Sequence, residues 1–149
     1  MIPKKIHYCW FGRNPLPADA LKCIASWHRY LPDYEIIEWN EDNFDVNAIE
    51  YTAQAYEAKK YAFVSDYARF KILYEHGGLY FDTDVEVIRP MDDIIASGPF
   101  IGIEKSIATK NGNTDGWVGI NPGLGIGAEP GNGIYIDIIN KYDSMPFDM

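Results

Sequence analysis

Three acids, Asp82, Asp84 and Glu86, alternate along the stretch GGLYFDTDVEVI at residues 77–88. The stretch reads as a β-strand, although Asp is disfavoured in strands. Side chains alternate across a strand, so the acids share one face with Tyr80 and Ile88. Leu79, Phe81, Thr83, Val85 and Val87 fall on the other, the core face. Like charges in line repel, and a bound cation removes that penalty. Two Asp at i and i+2 reach one ion. Hard divalent cations such as Mg²⁺ or Mn²⁺ take carboxylate oxygens and keep positions open for phosphate. A solvated strand face is the alternative, but it would more naturally mix Thr, Lys and Glu.

Several metal chemistries are excluded by the pattern itself. A calcium loop of the EF-hand type beginning at Asp82 needs Gly at its sixth position, which is Val87. A phosphatase-type D-x-D strand commonly continues with Thr or Val at the fifth position, which is Glu86 here. No G-x-x-x-x-G-K-[ST] phosphate loop occurs. What remains is a cation that bridges a diphosphate ligand to the protein. Upstream, Asp66 and Arg69 stand three apart in a helical pattern and so share a face. Arg69 can orient Asp66 and donate to sugar or phosphate oxygens; an ordinary helix salt bridge is the simpler account. Trp10 closes the first strand pattern, where core packing competes with a ring platform for a ligand. His7, His28 and His76 are isolated in sequence and are taken as structural.

The elements that must position these residues alternate between β and α. KIHYCWF (5–11) and YEIIEW (34–39) read as strands. Between them PADALKCIASWHRYLP reads as a helix, with Leu21, Ile24, Ala25 and Trp27 or His28 at helical spacing. Residues 47–76 read as two helical pieces, stopped by Gly77 and Gly78. After the acidic strand come a short helix near MDDIIA, a strand PFIGIE (99–104) and a polar loop. One or two Gly-rich strands and a helix over roughly 132–142 follow. The glycines at 123, 125 and 127 allow either close ligand approach or tight strand packing. Alternating β and α with short connections predicts an α/β sandwich with a mostly parallel central sheet flanked by helices.

Composition narrows the class. The chain has 149 residues, enough for one domain with a sizeable core. Its net charge of −9 disfavours nucleic acid as a partner and suits a cation site. Cys9 and Cys23 form no metal-type spacing and are expected as buried reduced thiols. The N-terminus lacks a signal-peptide pattern, and no run approaches the roughly 20 apolar residues of a membrane span. A cytoplasmic setting is expected, with peripheral association at the inner face of the membrane left open.

The segment SDYARFKILYEHGGLYFDTDVEVIRPMDD (65–93) resembles the signature region of glycosyltransferase family 32, enzymes with a DxD motif in a sugar-binding region. That family includes yeast initiating mannosyltransferases and bacterial capsular and lipopolysaccharide enzymes; the glucosylating domains of clostridial toxins share the pattern. The segments IPKKIHYCWFG and INPGLGIGAEPG match too. D-x-D alone is weak, whereas S-D-x-x-R followed by G-G-x-Y-x-D-x-D is specific. The resemblance implies a GT-A-like (Rossmann-like) nucleotide-diphospho-sugar transferase fold, and Mn²⁺ or Mg²⁺ as cofactor. It implies a UDP- or GDP-sugar donor, an oligosaccharide or lipid-linked glycan acceptor, and retention at the anomeric carbon. By the same resemblance Asp84 binds the metal directly. Asp82 contacts ribose or sugar hydroxyls and reaches the metal through water. Trp10 stacks on the base, Asp66 and Arg69 hold the donor sugar, and Asn121 lies near the transferred sugar. Asp82, Asp84 and Arg69 form the expected catalytic set. Family members usually continue further, with a segment that completes the diphosphate site. The expectation is one glycosyltransferase domain over 1–149 lacking that portion, with weaker metal and nucleotide binding than a longer relative. A nucleotide-sugar hydrolase or phosphohydrolase and a non-catalytic binding fragment are the rival readings.

Overall fold

The computed structural model describes residues 2–101, 103–105, 118–120 and 125–145. Its elements are β1 (Lys5–Cys9), α1 (Ala18–Tyr30), β2 (Glu35–Trp39), α2 (Glu50–Glu57), α3 (Tyr61–His76) and β3 (Gly78–Tyr80). There follow α4 (Asp92–Ala96), β4 (Phe100–Ile101), β5 (Ile103–Lys105), β6 (Val118–Ile120), β7 (Ile126–Ala128) and α5 (Gly133–Asp143). A five-stranded sheet runs in the order β2-β1-β3-β7-β4, and β5 pairs with β6 apart from it.

The sheet has apolar cores on both faces. On one, Cys9 and Tyr80 meet Ala55, Val64, Ala68, Leu73, Tyr135 and Ile139 from α2, α3 and α5. On the other, Ile6, Tyr8, Leu79 and Phe81 meet Trp27 and Leu31 at α1 and its end. This is an α/β sandwich, as the alternation of elements predicts. It differs in sheet direction. β1 is parallel to β2 and β3, while β7 is antiparallel to both β3 and β4. The parallel part is what intervening helices generate; β7 inserts antiparallel between β3 and β4, so the sheet is mixed.

Two corrections concern the site. The expected acidic strand ends at Tyr80: residues 83–84 form a turn and 85–88 are non-repetitive. The inside–outside alternation outlasts the strand, since Phe81 and Val87 are buried and Asp84, Glu86 and Ile88 are exposed. The acids thus occupy the chain just past the strand end, where the repulsion needs no strand to oppose it. The buried face of α1 is carried by Ala20, Cys23, Ser26 and Trp27, and Leu21 is exposed.

Local backbone chemistry sets the α3–β3 junction. Gly77 ends α3 at φ 68° and Gly78 follows at φ 110°. A Cβ on Gly78 would stand 2.6 Å from the Lys5 carbonyl oxygen, so only glycine lets β3 approach β1 this closely. The space a side chain on Gly125 or Gly127 would need is taken by the rings of Phe81 and Phe100. Strand packing, rather than ligand approach, therefore explains those two; Gly123 lies outside the described residues. His7 and His76 are not isolated. The Trp39 Nε1–H donates to His7 Nδ1 at 3.0 Å, and His7 Nε2 meets the Gly77 carbonyl at 2.9 Å. The His76 ring stands 5.3 Å from Trp39 and 6.1 Å from His7. Both cysteines are free and buried, as expected. Among the described residues no helix is long and apolar enough to cross a membrane.

Candidate donor-binding cleft

Parallel strands leave a crevice beyond their carboxyl ends. Here β1 runs out at Cys9 and β3 at Tyr80, and the N-terminal half of α3 stands beside both. Together they enclose a cleft of about 410 Å³, lined by Trp10, Asn14, Tyr61, Ser65, Asp66, Arg69, Tyr80, Asp82, Thr83 and Asp84 among others. Trp10, Asp66, Arg69, Asp82 and Asp84, drawn from three separate stretches of sequence, are brought together. Asn121 lies outside the described residues.

Arg69 is the hinge of the arrangement. It is buried, 7% exposed. Its Nη2 donates to Asp66 Oδ1 at 2.7 Å and stands 3.8 Å from Asp82 Oδ1. Its Nε donates to the Ser65 carbonyl at 3.3 Å. Its guanidinium carbon lies 5.3 Å from the centre of the Tyr80 ring. One cation thus serves two carboxylates from different elements, which makes this more than a helix salt bridge. Sequence reasoning missed Tyr80, whose hydroxyl donates to Asp82 Oδ1 at 3.1 Å. The signal was available, since Tyr80 alternates onto the same side as Asp82.

The electrostatics are strained in a useful direction. Burial pushes the Asp66 carboxyl above its ordinary value, against the pull of Arg69. Burial likewise raises Asp82; Arg69 and the Tyr80 hydroxyl oppose this, and Asp84 and Asp66 add to it. Burial also pushes the Cys9 thiol, at the floor of the cleft, up to about 12, so it stays protonated. Asp84 is exposed, and no ion pair engages it among the described residues. Two hard carboxylates, one of them open to solvent, fit a divalent cation that keeps most of its positions for water and ligand oxygens. No cluster of three or more His, Cys, Asp or Glu suited to a metal occurs among the described residues.

A smaller, more apolar cavity of about 200 Å³ lies apart, between Trp39, Phe44 and the C-terminal half of α3. Its Glu75 is engaged with Lys71 at 3.4 Å. It lacks the convergent carboxylates of the first.

Residues 17–101 match the family described as the glycosyltransferase sugar-binding region containing the DXD motif. The chain belongs to this family. Within it, the chain is similar to inositol phosphoceramide mannosyltransferase 1 of Schizosaccharomyces pombe, at 29% identity over 111 residues. Inositol phosphoceramide mannosyltransferase 3 of the same yeast is 31% identical over 98 residues. These alignments cover 67% and 63% of this chain and 33% and 27% of the yeast proteins. An uncharacterized glycosyltransferase, L373, of Acanthamoeba polyphaga mimivirus is 29% identical over 128 residues, 82% of this chain and 51% of that protein. The chain therefore spans about a quarter to a half of the length of these relatives. A solved structure, the PaToxG glycosyltransferase, superposes with a TM-score of 0.67 over 93% of this chain and 59% of its own, at 18% identity. That likeness supports the GT-A-like fold. Within the matched range the pattern D-x-D occurs at Asp82 and Asp84, and both acids line the cleft.

Proposed function

We propose that this chain forms the donor-binding part of a metal-dependent, retaining glycosyltransferase. It moves a hexosyl group from a UDP- or GDP-sugar to a glycan hydroxyl, on an oligosaccharide or lipid-linked acceptor. The observation that carries the reading is the convergence of Trp10, Asp66, Arg69, Asp82 and Asp84 on one cleft at the strand ends. The mannosyltransferase names of two relatives favour a mannose-type donor.

In this reading the Trp10 ring stacks on the base. Asp66 and Arg69 hold the sugar: the carboxylate accepts from hydroxyls, and the guanidinium donates to sugar or phosphate oxygens. Because Asp66, Ser65 and Tyr80 already fix the guanidinium, little freedom is lost on binding. Asp82 orients ribose or sugar hydroxyls. A divalent cation at Asp84 and Asp82 supplies, when bound, Lewis-acid neutralisation of the diphosphate. Retention follows from attack on the same face from which the diphosphate leaves, with the leaving group taking the acceptor's proton. No side chain need act as a separate base.

Calorimetric titration with UDP and GDP, with and without Mn²⁺, on the parent and Asp84→Asn tests this. The expected result is one nucleotide bound in the presence of Mn²⁺, with at least tenfold weaker binding without the ion or without Asp84. Binding that ignores both would refute the metal site. Turnover of nucleotide sugar without acceptor, unaffected by Arg69→Lys, would favour a hydrolase instead.

A further inference from the structure

The loop that carries Trp10 is held by a residue outside the cleft. Beyond β1, residues 10–14 turn sharply: Gly12 has φ 101° and Arg13 φ 62°. Trp10 closes this turn on itself, its Nε1–H donating to the Asn14 carbonyl at 2.6 Å. At the apex the Gly12 N–H donates to Glu41 Oε2 at 2.6 Å. The same oxygen accepts the Tyr56 hydroxyl at 2.7 Å. Glu41 follows β2, and Tyr56 lies near the end of α2, so one carboxylate oxygen ties three elements together. Two neighbouring links run in the same sense. The Trp10 N–H donates to the Trp39 carbonyl at 2.8 Å, and Arg13 Nη2 meets Asp42 Oδ1 at 2.8 Å. The Arg13–Asp42 pair is exposed and holds little. Gly12 also lies against the Tyr61 ring, 2.6 Å from where its Cβ would be, and Tyr61 itself lines the cleft.

Charge strengthens this joint. Burial pushes Glu41 up, but the hydrogen bonds from Tyr56 and Gly12, with Arg13 nearby, outweigh it and hold the carboxyl below its ordinary value. It is an anion at neutral pH, and bonds to an ionised acceptor are about twice as strong as neutral ones. The energy is spent on fixing a loop, and a loop fixed before binding costs less to order afterwards.

We infer that Glu41 is a positioning residue for donor recognition: through Gly12 and Tyr56 it sets the turn that presents Trp10 to the base. This rests on the proposed reading of Trp10 as the base platform. It predicts a selective loss. Groups that touch only the acidic end of the cleft are indifferent to Glu41, and groups that reach Trp10 depend on it.

The test compares the parent with Glu41→Ala, Glu41→Gln and Tyr56→Phe. Dissociation constants are measured with Mn²⁺ present for UDP, GDP and inorganic pyrophosphate. Glu41→Ala is expected to weaken the preferred nucleotide about tenfold and pyrophosphate less than about twofold. Glu41→Gln, which keeps an acceptor for Gly12 and Tyr56 but not the charge, recovers part of the loss, and Tyr56→Phe gives an intermediate value. An equal loss for pyrophosphate would make Glu41 a general structural residue and overturn the inference. Nucleotide affinity unchanged in both Glu41→Ala and Tyr56→Phe would overturn it while leaving the donor site standing. A parent that binds neither nucleotide would sink the donor reading and this inference with it. If Glu41→Ala does not fold, Tyr56→Phe carries the same comparison.

Discussion

Asp82 shows what the cleft costs at the scale of one residue. It is half-buried, faces Arg69 at 3.8 Å, and shares its surroundings with Asp66 and Asp84. Its folded-state pKa is raised above the ordinary carboxylate value. The direction of the pH effect follows. Below the unfolded value both states are protonated and the fold bears no charge penalty. As pH rises through the raised folded value, the buried carboxyl must ionise against burial and like charge, and stability is lost. Asp82→Asn removes this. Solvent screening keeps the gain small. The expected outcome is a Tm difference that is near zero at low pH and appears as pH rises, with nucleotide binding lost. A variant less stable than the parent at pH 7 would mean that Arg69 more than compensates Asp82. The gain in stability with loss of binding is the trade expected where a site is charged for its ligand rather than for its fold.

At the scale of elements, α1 does for the acidic turn what Glu41 does for the Trp10 loop. The Trp27 Nε1–H donates to the Val85 carbonyl at 2.8 Å, and the Val87 N–H donates to Ser26 Oγ at 2.9 Å. Since 85–88 is not a strand, these bonds replace a sheet ladder in fixing the chain behind Asp84. Ser26→Ala should leave the buried Val87 N–H without its acceptor, costing roughly 1–2 kcal/mol in urea denaturation. It should also raise the Mn²⁺ concentration needed for nucleotide binding. Destabilisation with no shift in the Mn²⁺ requirement would confine Ser26 to the fold. The elements themselves were legible because periodicity is local: α2, α3 and α5 fall where Tyr51 and Ala55, Val64 and Ala68, and Tyr135 and Ile139 recur. The cleft residues were less so: spacing alone left Asp66 and Arg69 as a helix salt bridge and Trp10 as core, and only the resemblance to the family singled them out. The antiparallel half of the sheet was not legible, because pairing partners lie far apart in sequence and Gly127 carries no side-chain pattern. The end of the acidic strand was hidden for a different reason. Phe81 and Val87 keep a period of two in burial although the backbone has left the ladder. Leu21 misled because a single exposed leucine costs little.

Across the whole molecule, β1 is the member on which everything closes, and His7 is at its centre with no exposed surface. Burial, offset in part by the Gly77 carbonyl, lowers its pKa to about 4, against an ordinary 6.5. The ring is therefore neutral in the fold. The Trp39 N–H at Nδ1 assigns its proton to Nε2, which donates to Gly77. As pH falls below about 6.5 the unfolded chain takes up a proton that the folded chain refuses. Stability then drops until about pH 4, by roughly 3 kcal/mol in all. Urea denaturation of the parent and His7→Gln across that range should give a steeper fall for the parent; parallel curves would refute the locked ring. The register of β1 has one more consequence, for synthesis. Ile6 pairs with Leu79 and His7 with Tyr80. Asp82 and Asp84 are added 72 and 74 residues after Trp10. On a ribosome working at roughly 5–20 residues per second, the tryptophan side of the cleft waits several seconds for its acidic side. A nascent chain cannot close this cleft until β3 has threaded in beside β1.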